Sequence, residues 1–318
     1  MRTSISAFPG TSAETKDLKT FKNRPGRWYH ERPMSGYVYT SARERDIFKV
    51  IPDLIKAREL LRDLVWKELR ARYRYAMMGF LWAILEPLLF TLILGFVFAI
   101  LLADKASFAS GGSSQPFIVM LLCGLIFWQF TSTALTSATF SLIANQNLVK
   151  KVHFARETVP LASVCVPLVN LAIGFVLLLV MHLIFHGRIT AALIWIPAVF
   201  LIQFALTAGV ALIFSCGHII YRDVGNMVNV GLLFGFYASP VFYPLEMVQN
   251  AHLLPNWVVY LYMMNPMAGL LTAYRHILFG GHFPPITLLL WPALLALILL
   301  AAGLIIFRRN APTFSDYL

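Results

Sequence analysis

Six long apolar stretches divide this chain, and polar residues are confined to its first quarter and to the connections between the stretches. The apolar runs cover residues 78–103, 117–144, 159–185, 193–220, 228–243 and 286–307. A helix rising 1.5 Å per residue needs about 20 such residues to cross a hydrocarbon core of about 30 Å. Backbone amides inside lipid have no water to bond, so helix is the expected conformation of every run. The pattern therefore predicts an all-α polytopic membrane protein with six transmembrane helices.

The polar segments divide further. Residues 1–46 are broken by Pro9, Gly10, Pro25, Gly26, Pro33 and Gly36 and read as a largely disordered arm. Across 47–77, Ile51, Leu54, Ile55, Leu61, Leu64, Val65, Leu69 and Tyr73 recur at three- and four-residue steps, with Lys56, Arg58, Glu59, Arg62, Asp63 and Lys67 between them. That is one apolar stripe on a charged helix, which should lie in the membrane interface rather than cross it. The spans fill 78–310, and 311–318 is a short tail.

Two connections carry a pattern of their own. The loop 145–158 is basic, with Leu148, Val149, Val152 and Phe154 as apolar docking positions, and is long enough for a short helix along the membrane. Segment 244–283 is too apolar for a free loop and too broken for a span, with Trp257, Tyr260, Tyr262, Tyr274 and Phe279 around Asn265-Pro266 and Gly280-Gly281. It reads as interfacial or re-entrant helices, with Glu246 and Arg275 of opposite sign and able to pair.

Charge orients the chain. Residues 1–77 hold 17 of the 26 Lys and Arg, and the formal net charge is +11. With the N-terminus inside, 23 basic residues fall on the cytoplasmic side and 3 on the other, Lys105, Arg188 and Arg275. This is the positive-inside bias, and it predicts N-in, C-in topology. Because the basic residues flank spans, it also argues against a nucleic-acid partner. The polar first 20 residues give no expectation of a cleavable signal.

Catalytic chemistry is not legible. There is no Gly-Lys dipeptide for a Walker A loop, no HExxH, no GxSxG and no zinc spacing. Cys123, Cys165 and Cys216 sit singly in apolar runs and read as small buried hydrophobes. Glu86, followed by Pro87, stands alone in the first span. A carboxylate there costs a few kcal/mol unless it faces protein or water. It reads either as a partner of Arg72 or Arg74 or as a substrate contact. No enzyme, metal or bound cofactor is expected, and energy for active transport would have to come from another subunit.

Three motifs carry a resemblance. Glu68-Leu-Arg-Ala-Arg-Tyr-Arg-Tyr-Ala-Met-Met-Gly-Phe-Leu-Trp-Ala-Ile-Leu-Glu-Pro-Leu-Leu89 opens the membrane region. Arg222-Asp-Val-Gly225 with Ser239-Pro-Val-Phe-Tyr-Pro244 follows, then Asn265-Pro-Met-Ala-Gly-Leu270 with Tyr274-Arg275. In this order, over about 47–310, they resemble the permease subunits of bacterial polysaccharide ABC exporters. The O-antigen group fits best on Asn265 to Gly269, with the teichoic-acid and capsule exporters as the near alternatives.

The resemblance implies a homodimer of this chain with two copies of a separate ATPase, which binds the ATP and Mg. The cargo would be a glycan on undecaprenyl diphosphate. Helix 48–75 would be an interface or gate helix touching membrane lipid. Asn147, Leu148, Val149, Lys150, Lys151, His153, Phe154, Arg156 and Glu157 would couple to the ATPase. Arg70, Arg72, Arg74 and Glu86 would meet the lipid diphosphate at the gate. Phe80, Trp82, Phe127, Trp128 and Phe130 would line a channel, and Glu246, Asn265, Pro266 and Arg275 would belong to an outer gate. A passive channel or assembly scaffold, and more remotely a membrane-embedded transferase, are the competing readings.

Overall fold

The computed structural model describes residues 55–73, 81–101, 116–152, 154–185, 187–245 and 255–317, with Pro52 and Met247. The arm 1–46 lies outside the described residues, as do Arg74, Phe80, His153 and Glu246. Every regular element among the described residues is helical.

Helix α1 is Arg58–Tyr73, α2 Trp82–Leu101, α3 Phe117–Ala144, α4 Gln146–Lys151, α5 Thr158–Cys165 and α6 Leu168–Ile184. A 3-10 turn, Ala191–Trp195, leads into α7, Ile196–Ile220. Then come α8 Val224–Tyr237, α9 Asn256–Met263, α10 Pro266–Arg275, a π-helical turn His276–Gly280, α11 Ile286–Asn310, a 3-10 turn Ala311–Thr313 and α12 Phe314–Tyr317. Among the described residues, four stretches are long and apolar enough to cross a membrane: Phe117–Ala144, Thr158–Ile184, Ala191–Ile220 and Ile286–Thr313. Two more apolar helical stretches, Ile84–Val97 and Val224–Tyr237, are shorter.

Helix α3 is the axis of the bundle. Its apolar window is 78% buried, against 28% for Thr158–Ile184 and 22% for Ile286–Thr313, so the other helices wrap it. The largest core cluster joins Leu121, Leu122, Phe127, Leu178, Val199, Leu270 and Tyr274 from α3, α6, α7 and α10. Helices α7 and α11 run in direct backbone contact. A Cβ added to Gly303 would sit 2.4 Å from the Gly209 carbonyl oxygen, and one on Gly209 would sit 2.5 Å from the Leu299 carbonyl carbon. Without a hydrophobic drive between helices in lipid, such close approach supplies the dispersion contact that holds them together.

Two expected spans are not single straight helices. The run 159–185 is interrupted at Val166–Pro167, between α5 and α6, because Pro167 donates no backbone N–H. The run 228–243 is helical only as far as Tyr237, and the chain turns through 238–243. Ser239-Pro240 supplies the reason: proline cannot continue the ladder and disfavours the helical region for the residue before it. At 14 residues, α8 is about 21 Å long.

The predicted amphipathic helix is present as α1, and it docks on protein. Leu64 is 7% exposed in a second cluster with Leu142, Val149, Phe154, Val159, Phe307 and Phe314, and Leu60, Leu61 and Val65 pack against it. Burying one such leucine contributes roughly 2 kcal/mol. On the polar side, the Ser163 hydroxyl donates to Glu68 Oε2 at 3.0 Å and Lys67 Nζ donates to Asn145 Oδ1 at 2.8 Å. Ile55 is 61% exposed, so the apolar stripe is not covered over its whole length.

Candidate functional site

On α3, the residues that are not buried between Gln129 and Phe140 are Gln129, Ser132, Thr133, Thr136, Ser137 and Phe140. They fall at three- and four-residue steps, so one face of an otherwise enclosed apolar helix is lined by an amide and four hydroxyls before Phe140 closes it. The accessible face of the central helix is thus its polar face, the reverse of what lipid contact favours.

Helices α2 and α8 flank this face and enclose a groove of about 570 Å³. Gln129, Ser132, Thr136 and Asn229 supply its polar groups, and Phe90, Trp128, Phe236, Tyr237 and Phe242 its rings. The rings form a connected set: Trp128 lies 6.1 Å from Phe236, which lies 5.3 Å from Tyr237 and 5.7 Å from Phe242. Gln129 also borders a second, smaller cavity with Glu86, Thr133 and Asn170. The Gln129 amide donates to Glu86 Oε1 at 2.8 Å. Among the described residues Glu86 is therefore held by a glutamine on α3; of its expected partners Arg72 and Arg74, the second lies outside the described residues. The Thr133 hydroxyl donates to the Gln129 carbonyl at 2.7 Å, leaving its lone pairs as acceptors.

The aromatics expected along a channel separate into two sets. Phe127 and Phe130 are core residues. Phe127 is 1% exposed and stacks on Tyr274 with centroids 3.5 Å apart; Phe130 is 2% exposed against Phe200 at 5.1 Å. This corrects their expected place in a wall, since the 127 and 130 positions of α3 face α7 and α10. Trp128 lines the groove, and Trp82 is exposed at the start of α2. Phe80 lies outside the described residues.

The residues expected at an outer gate form a clamp. The Arg275 guanidinium donates to the Val241 carbonyl at 2.7 Å and the Tyr243 carbonyl at 2.8 Å. The Asn265 amide donates to the Ala238 carbonyl at 3.0 Å and Ser239 Oγ at 2.9 Å, while its Oδ1 accepts from the Met267 N–H as the N-cap of α10. Pro266 takes the first helical position, where a missing N–H costs nothing. The turn after α8 thereby satisfies its carbonyls inside protein. Gly124 is required here: a Cβ on it would meet the Val241 oxygen at 2.1 Å. The expected Arg275 partner, Glu246, lies outside the described residues. Helix α10 is buried from Met267 to Arg275 and is tied to α7 through Tyr274, whose hydroxyl donates to Gln203 Oε1 at 2.7 Å. Gln203 Nε2 in turn donates to the Phe127 carbonyl and Thr131 Oγ1, each at 2.8 Å.

The expected coupling residues also divide. Asn147, Lys150 and Lys151 on α4 are exposed and Leu148 is half-buried. Val149 is 1% and Phe154 6% exposed, both packed in the cluster under α1, so they face their own protein rather than outward. Arg156 donates to the Ala311 carbonyl, and Glu157 is buried against Arg308. His153 lies outside the described residues. On α1, Arg70 lies over the Trp66 ring with its guanidinium carbon 5.8 Å from the centroid, and Arg72 is exposed.

Sequence reasoning missed Gln129, Gln203, Asn229 and Arg308. The hydroxyl-rich run from Thr131 to Ser141 was a readable signal that α3 is unusually polar for a span, but Thr131, Thr139 and Ser141 of the same run are buried, so it did not mark the open face.

A bundle of apolar helices, with an open, largely aromatic groove between α2, α3 and α8 that carries a few polar side chains, defines a polytopic membrane protein. The family model for the ABC-2 type transporter matches residues 59–279, more than half of the chain, and the chain belongs to that family. It is a multi-pass protein of a bacterial inner membrane. Two proteins of Klebsiella pneumoniae called O-antigen export system permease protein RfbA are each 27% identical to it over 263 residues, spanning 82% of this chain and 95% of theirs. A protein of the same description from Myxococcus xanthus is 28% identical over 270 residues, spanning 85% of this chain and 99% of its own.

Proposed function

We propose that this chain is the permease subunit of an ABC exporter that carries a bacterial polysaccharide, of the O-antigen class, across the inner membrane. It would act as a homodimer with two copies of a separate ATPase that holds ATP and Mg. The observation that carries this reading is the polar face of α3 in its aromatic groove. An amide and hydroxyl face at membrane depth is stable only against water, protein or a polar cargo. A sugar polymer offers both matching surfaces, hydroxyls for Gln129, Ser132, Thr136 and Asn229, and apolar ring faces for Trp128, Phe236 and Tyr237. Family membership and the full-length similarity to the O-antigen permeases support the choice of cargo.

In this reading the chain crosses the membrane six times with both ends inside. The crossings are α2, α3, α5 with α6, α7, α8 with the turn 238–243, and α11. The glycan arrives on undecaprenyl diphosphate, and the exposed Arg70 and Arg72 on α1, with Arg74, receive the diphosphate, for which a guanidinium fork is suited. The exposed face of α4, Asn147, Lys150 and Lys151, meets the ATPase. Closure of the ATPase moves this corner, and Glu157 passes the movement to α11 through Arg308. The clamp of Asn265 and Arg275 controls the far end.

The test is reconstitution of the chain with its co-purifying ATPase into vesicles loaded with a glycan-binding lectin. ATP-dependent capture of externally added undecaprenyl-diphosphate glycan is the expected result. Passage without ATP, or purification of the chain with no ATPase under mild detergent, would sink the proposal in favour of a passive channel or scaffold.

A further inference from the structure

We infer that the groove between α2, α3 and α8 selects a glycan whose repeating unit carries no net negative charge; this rests on the export reading and narrows its cargo. The inference comes from what lines the groove and the smaller cavity beside it. Their polar groups are one glutamine, two asparagines, four hydroxyls, the Trp128 indole N–H and the Glu86 carboxyl, with no Lys or Arg among the described lining residues. A chain bearing a phosphodiester or uronate in each repeat would bring a series of anions into a low-dielectric groove that offers no counter-charge. It would also come near Glu86, which lines the smaller cavity on the other side of Gln129 and accepts from that amide at 2.8 Å. Uncompensated charge is costly there, and repulsion from a single like charge within about 10 Å lowers passage by about tenfold.

Neutral sugars meet none of these costs. Their hydroxyls can donate to the Asn229 and Gln129 carbonyl oxygens and accept from the amide and hydroxyl hydrogens. Gln129 has a specific part in this. It lines both cavities, and its amide N–H holds Glu86. The acidic group is thus tethered and sets the sign of the local field without occupying the path. The basic residues Arg70 and Arg72 lie on α1, so the diphosphate and the glycan would be handled at separate places.

The experiment uses the full chain with its ATPase in proteoliposomes and two polyprenyl-diphosphate glycans of equal length. One has a neutral hexose repeat and the other a uronate in every repeat. Uptake of the neutral glycan should exceed that of the anionic one by about tenfold, and Asn229→Lys and Glu86→Gln should each narrow the gap. A photo-crosslinking residue at Thr136 should label the neutral glycan during ATP turnover. Equal uptake, or preference for the uronate chain, overturns the inference. Adducts at 136 formed only with lipid or with a second copy of this chain, while wild type exports glycan, overturn the groove as the path and leave the export reading intact. Transport of neither glycan despite ATP hydrolysis overturns the export reading, and this inference with it.

Discussion

Arg308 reaches across the bundle from the end of α11 to Glu157, just before α5, and donates to the same Oε1 through Nη2 at 2.6 Å and Nε at 3.0 Å. Both side chains are 5% exposed. The contact joins the corner that carries α4 to the last long helix, and next to it Arg156 bonds the Ala311 carbonyl. Removing one member of a buried pair strands the other charge and costs about 3–5 kcal/mol. Arg308→Ala should therefore lower the thermal midpoint of the detergent-solubilised protein sharply, and the exchanged pair Glu157→Arg with Arg308→Glu should recover part of the loss. An unchanged midpoint in the single variant would show that the pair contributes no stability.

Substitutions on the 145–158 corner should separate by side chain. Lys150→Ala with Lys151→Ala should leave folding intact and reduce retention of the ATPase, read as the ratio of the two proteins after affinity purification. Val149→Asp and Phe154→Asp should instead reduce the yield of folded protein, because each introduces a charge into the cluster of Leu64, Leu142 and Phe307. Folded Val149→Asp protein that has lost only its ATPase would place that side chain at the interface.

At the crossing of α7 and α11, Gly303→Val should push the helices apart, since its first added carbon overlaps the Gly209 carbonyl. Overpacking typically costs about 1–3 kcal/mol, and backbone as the clashing partner puts this site at the upper end. Thermal unfolding of the purified variant measures it, and a neutral effect would mean that the two helices are free to separate.

Arg275→Ala should release the Val241 and Tyr243 carbonyls from their donor. Limited proteolysis should then cut the chain between 238 and 245 at least tenfold faster, the change that about 1.4 kcal/mol of lost local stability produces. Arg275→Lys, which can reach one carbonyl but not both in a fork, should fall between.

Glu68 gives a pH dependence. Burial raises its carboxyl pKa, with the Ser163 hydrogen bond, Arg72 and Lys67 acting against the shift. A raised acid binds its proton more tightly when α1 is docked, so docking is favoured at low pH and weakens as pH rises through the window above 4.5. Spin labels on α1 and α5 should report a docked fraction that falls across that window, and Glu68→Gln should flatten the curve. A wild-type curve rising with pH would contradict this account.

How much of this was legible differs between elements. Boundaries of α3 and the start of α10 were readable, because a continuous apolar run and the Asn265-Pro266 pair are local signals that no neighbour needs to supply. The end of α8 at Tyr237 was carried by Ser239-Pro240, but the apolar run through Tyr243 masked it. For Arg275 the sequence offered a carboxylate, Glu246, which lies outside the described residues, and only folding shows that two backbone carbonyls of the turn come within its reach.

The sequence by itself determined that this is a membrane protein of long helices with an amphipathic helix before them, because backbone satisfaction in lipid and one-sided hydrophobicity act within a segment. Only the tertiary structure decided which face of α3 is open, why Phe127 and Phe130 are core while Trp128 borders the groove, and that Glu157 meets Arg308 across 151 positions. Within a span nearly every side chain is apolar, so hydropathy carries little information about direction. The facing of each residue is settled by which helices approach closely enough to exclude everything else, as at Gly209 and Gly303.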